Sequence, residues 1–153
     1  MNITFFGHRD APQNIFPILM QTLTSLITDQ NAKCFYIGTH GAFDRMAIRA
    51  LSELKKSFPH ICVTVVYAYL PKNNDFPSGL VETIYPEGLE LTPPKYAISK
   101  RNLWMLEHSD TVVTYVIHSV GGAAHFKELA VKKGKQVIEL SLTSPGYSPP
   151  SPQ

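Results

Sequence analysis

Charge of one sign, cysteine and long apolar runs are all scarce in this chain of 153 residues. Lysine and arginine number 14 against 12 aspartates and glutamates, a formal net charge of +2, and charged residues make up only 17% of the sequence. So small a surplus predicts no basic face for a DNA duplex or an anionic membrane, and nucleic acid is not an expected partner. Two cysteines, Cys34 and Cys62, are too few for the disulfide framework of a small secreted domain. Both sit in apolar runs and read as small core residues of a reduced, cytoplasmic chain. No apolar stretch reaches the roughly 18 residues a membrane helix needs, and the start MNITFFGHRD turns polar before a signal-peptide core can form. Also missing are G-x-G-x-x-G after the first strand and G-x-x-x-x-G-K-[ST] anywhere, which argues against dehydrogenase-type NAD binding and P-loop hydrolysis. Among His8, His40, His118 and His125 no pair has H-x-x-x-H spacing and no Cys-x-x-Cys accompanies them, so neither a metal nor a cofactor is expected.

What is present is an ordinary globular composition, 44% hydrophobic, in a length that suits one domain. Short apolar runs at Asn2 to Phe6, Cys34 to Ile37, Ile61 to Tyr69, Thr111 to Ile117 and Gln136 to Leu140 predict five strands. Between them lie helical periods. Ile15, Ile18, Leu19, Leu23, Leu26 and Ile27 mark one buried face, and Phe43, Met46, Ala47, Ala50, Leu51 and Leu54 mark a second. Lys95 to His108 and Ala123 to Lys133 give two more, the last closed by Gly134. From Pro71 to Pro94, prolines at 71, 77, 86, 93 and 94 erase any period, and a long loop is expected. Alternating strands and helices predict an α/β, Rossmann-like three-layer sandwich with a central parallel sheet of about five strands over residues 1–141. The proline- and serine-rich residues 142–153 read as a C-terminal tail that builds no core.

In such sheets ligands bind outside the carboxyl ends of the strands. Those ends carry Gly7, His8 and Arg9; then Gly38, Thr39, His40, Gly41 and Asp44; then His118, Ser119, Gly121 and Gly122, followed by Ala123 and Ala124. Glycines admit close backbone approach, helix-start N–H groups favour anions, and Arg9 offers a bidentate phosphate contact. One such loop alone is an ordinary tight turn, but three together predict a ligand site. Trp104, Tyr96 and Tyr69 suit base stacking or core packing equally, with Trp104 leaning to core. The loop Tyr85 to Glu90, YPEGLE, is either a ligand-closing flap or a surface excursion.

The run Gly121, Gly122, Ala123, Ala124, His125, Phe126, Lys127, Glu128 resembles the P-G-G-x-G-T-x-x-E motif of the LOG (lonely guy) proteins, and Arg101 to Met105 resembles their R-K-x-x-M segment. Here Val120 replaces the proline, Ala124 the last glycine, His125 the threonine and Asn102 the lysine. The wider resemblance is to the SLOG superfamily of LOG-like and DprA-like Rossmann domains, and within it to small bacterial proteins of the YpsA type. F-x-G-H-R at Phe5 to Arg9, GTHGAFDRMA, YPEGLE and SKRNxWM carry that likeness over nearly the whole chain to about Leu140. The resemblance implies a cytoplasmic sensor or binder of a nucleotide-like small molecule, commonly a homodimer. It also implies an alternative, hydrolysis of the N-glycosidic bond of a nucleoside 5'-monophosphate, with Arg101 and Glu128 as catalytic residues and Gly121 and Gly122 as the phosphate turn. A third reading makes the sheet a scaffold and the proline-rich tail a partner ligand.

Overall fold

Alternation of β-branched and aromatic residues within each apolar run places successive side chains on opposite faces of one sheet. The computed structural model of the chain describes residues 1–71 and 81–142. Its strands are β1 (Asn2–Gly7), β2 (Cys34–Ile37), β3 (Cys62–Val66), β4 (Glu82–Ile84), β5 (Thr111–Tyr115) and β6 (Gln136–Glu139). Its helices are α1 (Phe16–Gln30), α2 (Ala42–Ser57), α3 (Ala97–Glu107) and α4 (Gly122–Lys132). All the pairings are parallel, in the order β4-β3-β2-β1-β5-β6. The Rossmann-like α/β sandwich expected from the sequence is therefore present.

The two faces of β1 sort the core. Ile3 and Phe5 join Leu19, Leu23, Phe43, Ala47 and Leu51 of α1 and α2 in one apolar cluster. Phe6, one residue on, turns to the other face and packs with Phe126 of α4 and Met105 and Leu106 of α3. Pro17 sits in the first turn of α1, where no helical N–H is lost, and Asn31 ends that helix with a left-handed φ of 57°.

The sheet has six strands where about five are expected. The added strand, β4, has three exposed residues whose register is Thr64↔Glu82 to Val66↔Ile84. It lies at the sheet edge inside the stretch read as loop, and too short and too exposed a segment carries no hydrophobic period. Strand β3 also stops at Val66, short of the Tyr69 limit read from its apolar run. Beyond it Ala68 packs against Leu89 and Ala97, which anchors the YPEGLE segment to the start of α3. Of the expected tail, all but Leu142 lies outside the described residues. Among the described residues no helix is long and apolar enough to cross a membrane.

Candidate functional site

Strand order dictates where a crevice opens. From β1 the chain proceeds outward through β2, β3 and β4, then returns to lay β5 on the other side of β1. The loops leaving β1 and β5 therefore diverge, and the gap between them at the carboxyl ends is the switch point where ligands of this architecture bind. A cavity of about 300 Å³ occupies that place. Gly7 lines it from the end of β1, His8, Arg9 and Asp10 from the loop that follows, His40 from the β2–α2 turn, Asp44 from the first turn of α2, Arg101 and Asn102 from α3, and Gly121, Gly122 and Ala123 from the start of α4.

Two helices enter this region through glycine. Gly41 before α2 has φ 95° and ψ 175°, and Gly121 before α4 has φ 108° and ψ 175°, a conformation that disfavours a side chain. At Gly41 a Cβ would also stand 2.6 Å from the Arg9 Cα, so the β1 and β2 loops touch there, and the Ala42 N–H donates to the Arg9 carbonyl at 2.8 Å. The α4 N-terminus has no side-chain cap. Its first N–H groups lack intrahelical acceptors and form, with the helix dipole, a partial positive charge at the cavity wall.

Arg101 is 1% exposed. Its Nη1 donates to the Val66 carbonyl at 2.9 Å and weakly to Thr39 Oγ1 at 3.4 Å; Nη2 meets His40 Nδ1 at 3.3 Å, and Nε donates to Asn102 Oδ1 at 2.8 Å. Burial pulls its guanidinium below the ordinary value, while the nearby Asp44 carboxylate acts in the other direction. A guanidinium can only donate, so His40 Nδ1 accepts and the ring is neutral. Burial, then the charges of Arg101 and Arg9, hold the His40 pKa down. Asp44 accepts the His40 N–H at 3.0 Å, and burial raises its pKa to about 6. Gly38 is the floor of this cluster: a Cβ there would lie 2.8 Å from Asp44 Oδ2 and 3.0 Å from Arg101 Cζ.

His8 has a different task. Its Nε2 accepts the backbone N–H groups of Ile117 at 2.7 Å and His118 at 3.1 Å, tying the β1 loop to the β5 loop. That role needs an unprotonated Nε2, and burial, followed by the neighbouring His118, lowers the His8 pKa accordingly. Arg9 is exposed and, among the described residues, makes no hydrogen bond or ion pair through its side chain.

The structure thus gathers Gly7, His8, Arg9, Asp44, Arg101, Gly121, Gly122 and Ala123 around one cavity, with Gly38, Thr39 and Gly41 supporting it from behind. Gly7 also answers a packing demand, since a Cβ there would fall 2.3 Å from the Phe43 ring. Ser119, Ala124 and Glu128 are placed elsewhere, in a separate groove of about 460 Å³ with Val116, Ile117, His118, Lys127 and Val131. Glu128 is exposed and stands 3.9 Å from Lys132 one helical turn on, so the structure does not bring it together with Arg101. Sequence reading passed over Asp10, Ile98, Asn102 and Met105 as cavity residues. Ile98, Arg101 and Met105 share one face of α3 at three- and four-residue spacing, a signal legible in the sequence, where Ile98 counts only toward the helical period and Arg101 and Met105 enter only through the family resemblance. Trp104 sits edge-on to Tyr36 at 5.3 Å and away from the cavity lining, and Tyr69 lies edge-on to His40 at 6.0 Å.

Fold and site together define a Rossmann-like α/β domain with a polar cavity at its sheet switch point. No protein-family model and no curated protein sequence matches the chain. Among solved structures it is similar to DNA processing protein A (DprA) from Streptococcus pneumoniae, with a TM-score of 0.65 and 17% identity over 94% of this chain and 52% of that one. It is likewise similar to DNA processing protein A from Helicobacter pylori, whose structure was described for its unique single-stranded DNA binding mode, with a TM-score of 0.64 and 17% identity over 94% of this chain and 67% of that one. The chain therefore spans about half the length of the first and two thirds of the second.

These neighbours correct one expectation. Nucleic acid was set aside because the net charge is only +2, yet the same fold serves a protein that binds single-stranded DNA. Net charge describes a whole surface, whereas a single strand is held by local phosphate and base contacts that a nearly neutral chain can supply.

Proposed function

We propose that the chain binds a phosphate-bearing nucleotide group in the cavity between the β1 and β5 loops, either as a free nucleotide or as a unit of single-stranded nucleic acid. The observation that carries this reading is the convergence, in one cavity of about 300 Å³, of the uncapped α4 N-terminus with the unpaired Arg9. Arg9 supplies an exposed charge for a phosphate, the Gly122 and Ala123 backbone supplies donors, and Ile98 and Met105 supply an apolar wall for a base or sugar. The motifs of residues 5–9, 38–47 and 99–105 support placing the chain beside the YpsA-type members of the SLOG superfamily. Hydrolysis of an N-glycosidic bond finds no support in the geometry, since Glu128 lies in the other groove.

The test is to incubate the purified chain with nucleoside monophosphates, dinucleotides and short single-stranded oligonucleotides, following thermal shift and released base by chromatography. A nucleotide or oligonucleotide that raises the melting temperature, returns intact and loses its effect in Arg9→Ala supports binding, and the two ligand sets separate the two sources. Free base that disappears in Glu128→Gln establishes the hydrolase instead. Absence of any shift overturns the proposal.

A further inference from the structure

At the opposite end of the sheet the two cysteines face each other. Cys34 opens β2, Cys62 opens β3, and the two are register partners in a parallel pairing. Partner Cα atoms on neighbouring strands lie about 4.8 Å apart, inside the roughly 4.4 to 6.8 Å span that a disulfide bridges. Register partners also point to the same face. Phe35 and Val63, next along, enter the core with α1 and α2, so both thiols lie on the other face. Neither is bonded, and both are partly exposed rather than the closed core residues their apolar neighbours suggest.

Their surroundings differ. Cys62 Sγ lies 3.6 Å from Thr64 Oγ1 and donates to Glu82 Oε2 at 3.8 Å. Burial pushes the Cys62 thiol up, against the Thr64 contact, and Glu82 and Cys34 push it the same way as burial. The Cys62 thiol is engaged with Glu82, which leaves the first nucleophilic attack to Cys34.

We infer that Cys34 and Cys62 are an oxidisable dithiol that closes to an intrachain disulfide with a low-molecular-weight disulfide as oxidant. The Cys34 thiolate attacks one sulfur of the small disulfide, its S–S bond breaks, and one small thiolate leaves and takes up a proton. Cys62 then loses its proton and attacks Cys34 Sγ in the mixed disulfide, expelling the second small thiol. Two protein thiols are oxidised to one disulfide and one small disulfide is reduced to two thiols. The bond closes a loop containing β2, the Gly38 to Asp44 turn and α2, the segment that supplies His40 and Asp44 to the cavity.

The full-length chain is incubated with oxidised glutathione, then analysed by thiol titration, intact mass and peptide mapping. The expected product has lost both thiols, is lighter by two hydrogens, carries no glutathione, joins the Cys34 and Cys62 peptides, and regains both thiols with dithiothreitol. Cys62→Ser is expected to stop at one stable glutathione adduct on Cys34. A wild-type chain that accumulates glutathione adducts, forms disulfide-linked dimers, or stays unreactive when folded while reacting in urea overturns the inference. Because the decisive readouts use the unmodified sequence, a poorly folding variant leaves the test intact.

Discussion

The cavity under Arg9 and the groove beside Glu128 share the loop after β5, yet they hold their polar groups in different ways. In the cavity, charged and polar side chains arrive from the loop after β1, the start of α2 and α3, and two of them are fixed by partners distant in sequence, Arg101 by Val66 and Thr39 and His8 by Ile117 and His118. In the groove, Glu128 answers Lys132 within its own helix, Lys127 answers Glu139 of β6, and beside His118 and Ser119 the wall is apolar, with Ile117 and Val131 well exposed. Convergence of several elements makes a site that a ligand can complete. Ion pairing between neighbouring exposed side chains makes a solvated surface whose charges are already neutralised at small energetic consequence.

A second contrast lies inside the cavity. Arg101 is already committed to the protein, whereas Arg9 is not, and the sharpest tests exploit that difference. Arg101→Ala leaves the Val66 carbonyl and Asp44 without their cation, and a loss of roughly 3–5 kcal/mol in unfolding free energy is expected by urea denaturation. Arg9→Ala is expected to leave stability within about 0.5 kcal/mol, while weakening nucleotide binding by roughly ten- to a hundredfold, the worth of one charged hydrogen bond, in calorimetric titration. If the two variants exchange behaviour, the assignment of structural and ligand-facing arginines is reversed. Gly38→Ala drives a methyl against Asp44 and Arg101 and is expected to cost about 1–3 kcal/mol by overpacking.

Proton linkage sharpens the comparison further. His8 binds protons less readily in the folded state, so its contribution is complete above pH 6.5 and fades as pH falls below that value. His40 works in the same direction. Asp44, with a pKa near 6 instead of 3.8, works oppositely and favours the folded state increasingly as pH drops from 6 toward 3.8. The destabilisation caused by His8→Asn is therefore expected to be largest at pH 7.5 and to shrink by pH 5.5 in paired denaturation curves. A pH-independent difference would show that the two backbone N–H groups do not depend on a neutral His8. The smallest effect belongs to Glu128→Gln, expected within about 0.5 kcal/mol of the parent in stability and without consequence for binding.

Much of this was legible from residues alone. The apolar runs of β1, β2, β5 and β6 and the periods of all four helices carry the fold, because burial of one stripe or face imposes its spacing on the sequence. Strand β4 was not legible, since three exposed edge residues obey no such constraint. The glycine turns pointed to the strand ends that border the cavity, for a topological reason that holds for any parallel sheet. Ser119 and Ala124 were grouped with them because they adjoin the glycine turn, and Glu128 entered through the LOG resemblance, but a helix turns 100° per residue, and Ala124 and Glu128 came to rest on a face turned from the cavity.

The sequence by itself therefore determined the layers of the sheet and the set of loops at its carboxyl end, because both follow from short-range periodicity and chain direction. Only the tertiary structure decided which groups meet: that Arg101 is locked to Val66 and His40, that Arg9 has no side-chain partner among the described residues, and that Cys34 stands beside Cys62. Those pairings depend on strand order and register, which are set by how whole elements pack rather than by the residues next to them in the chain.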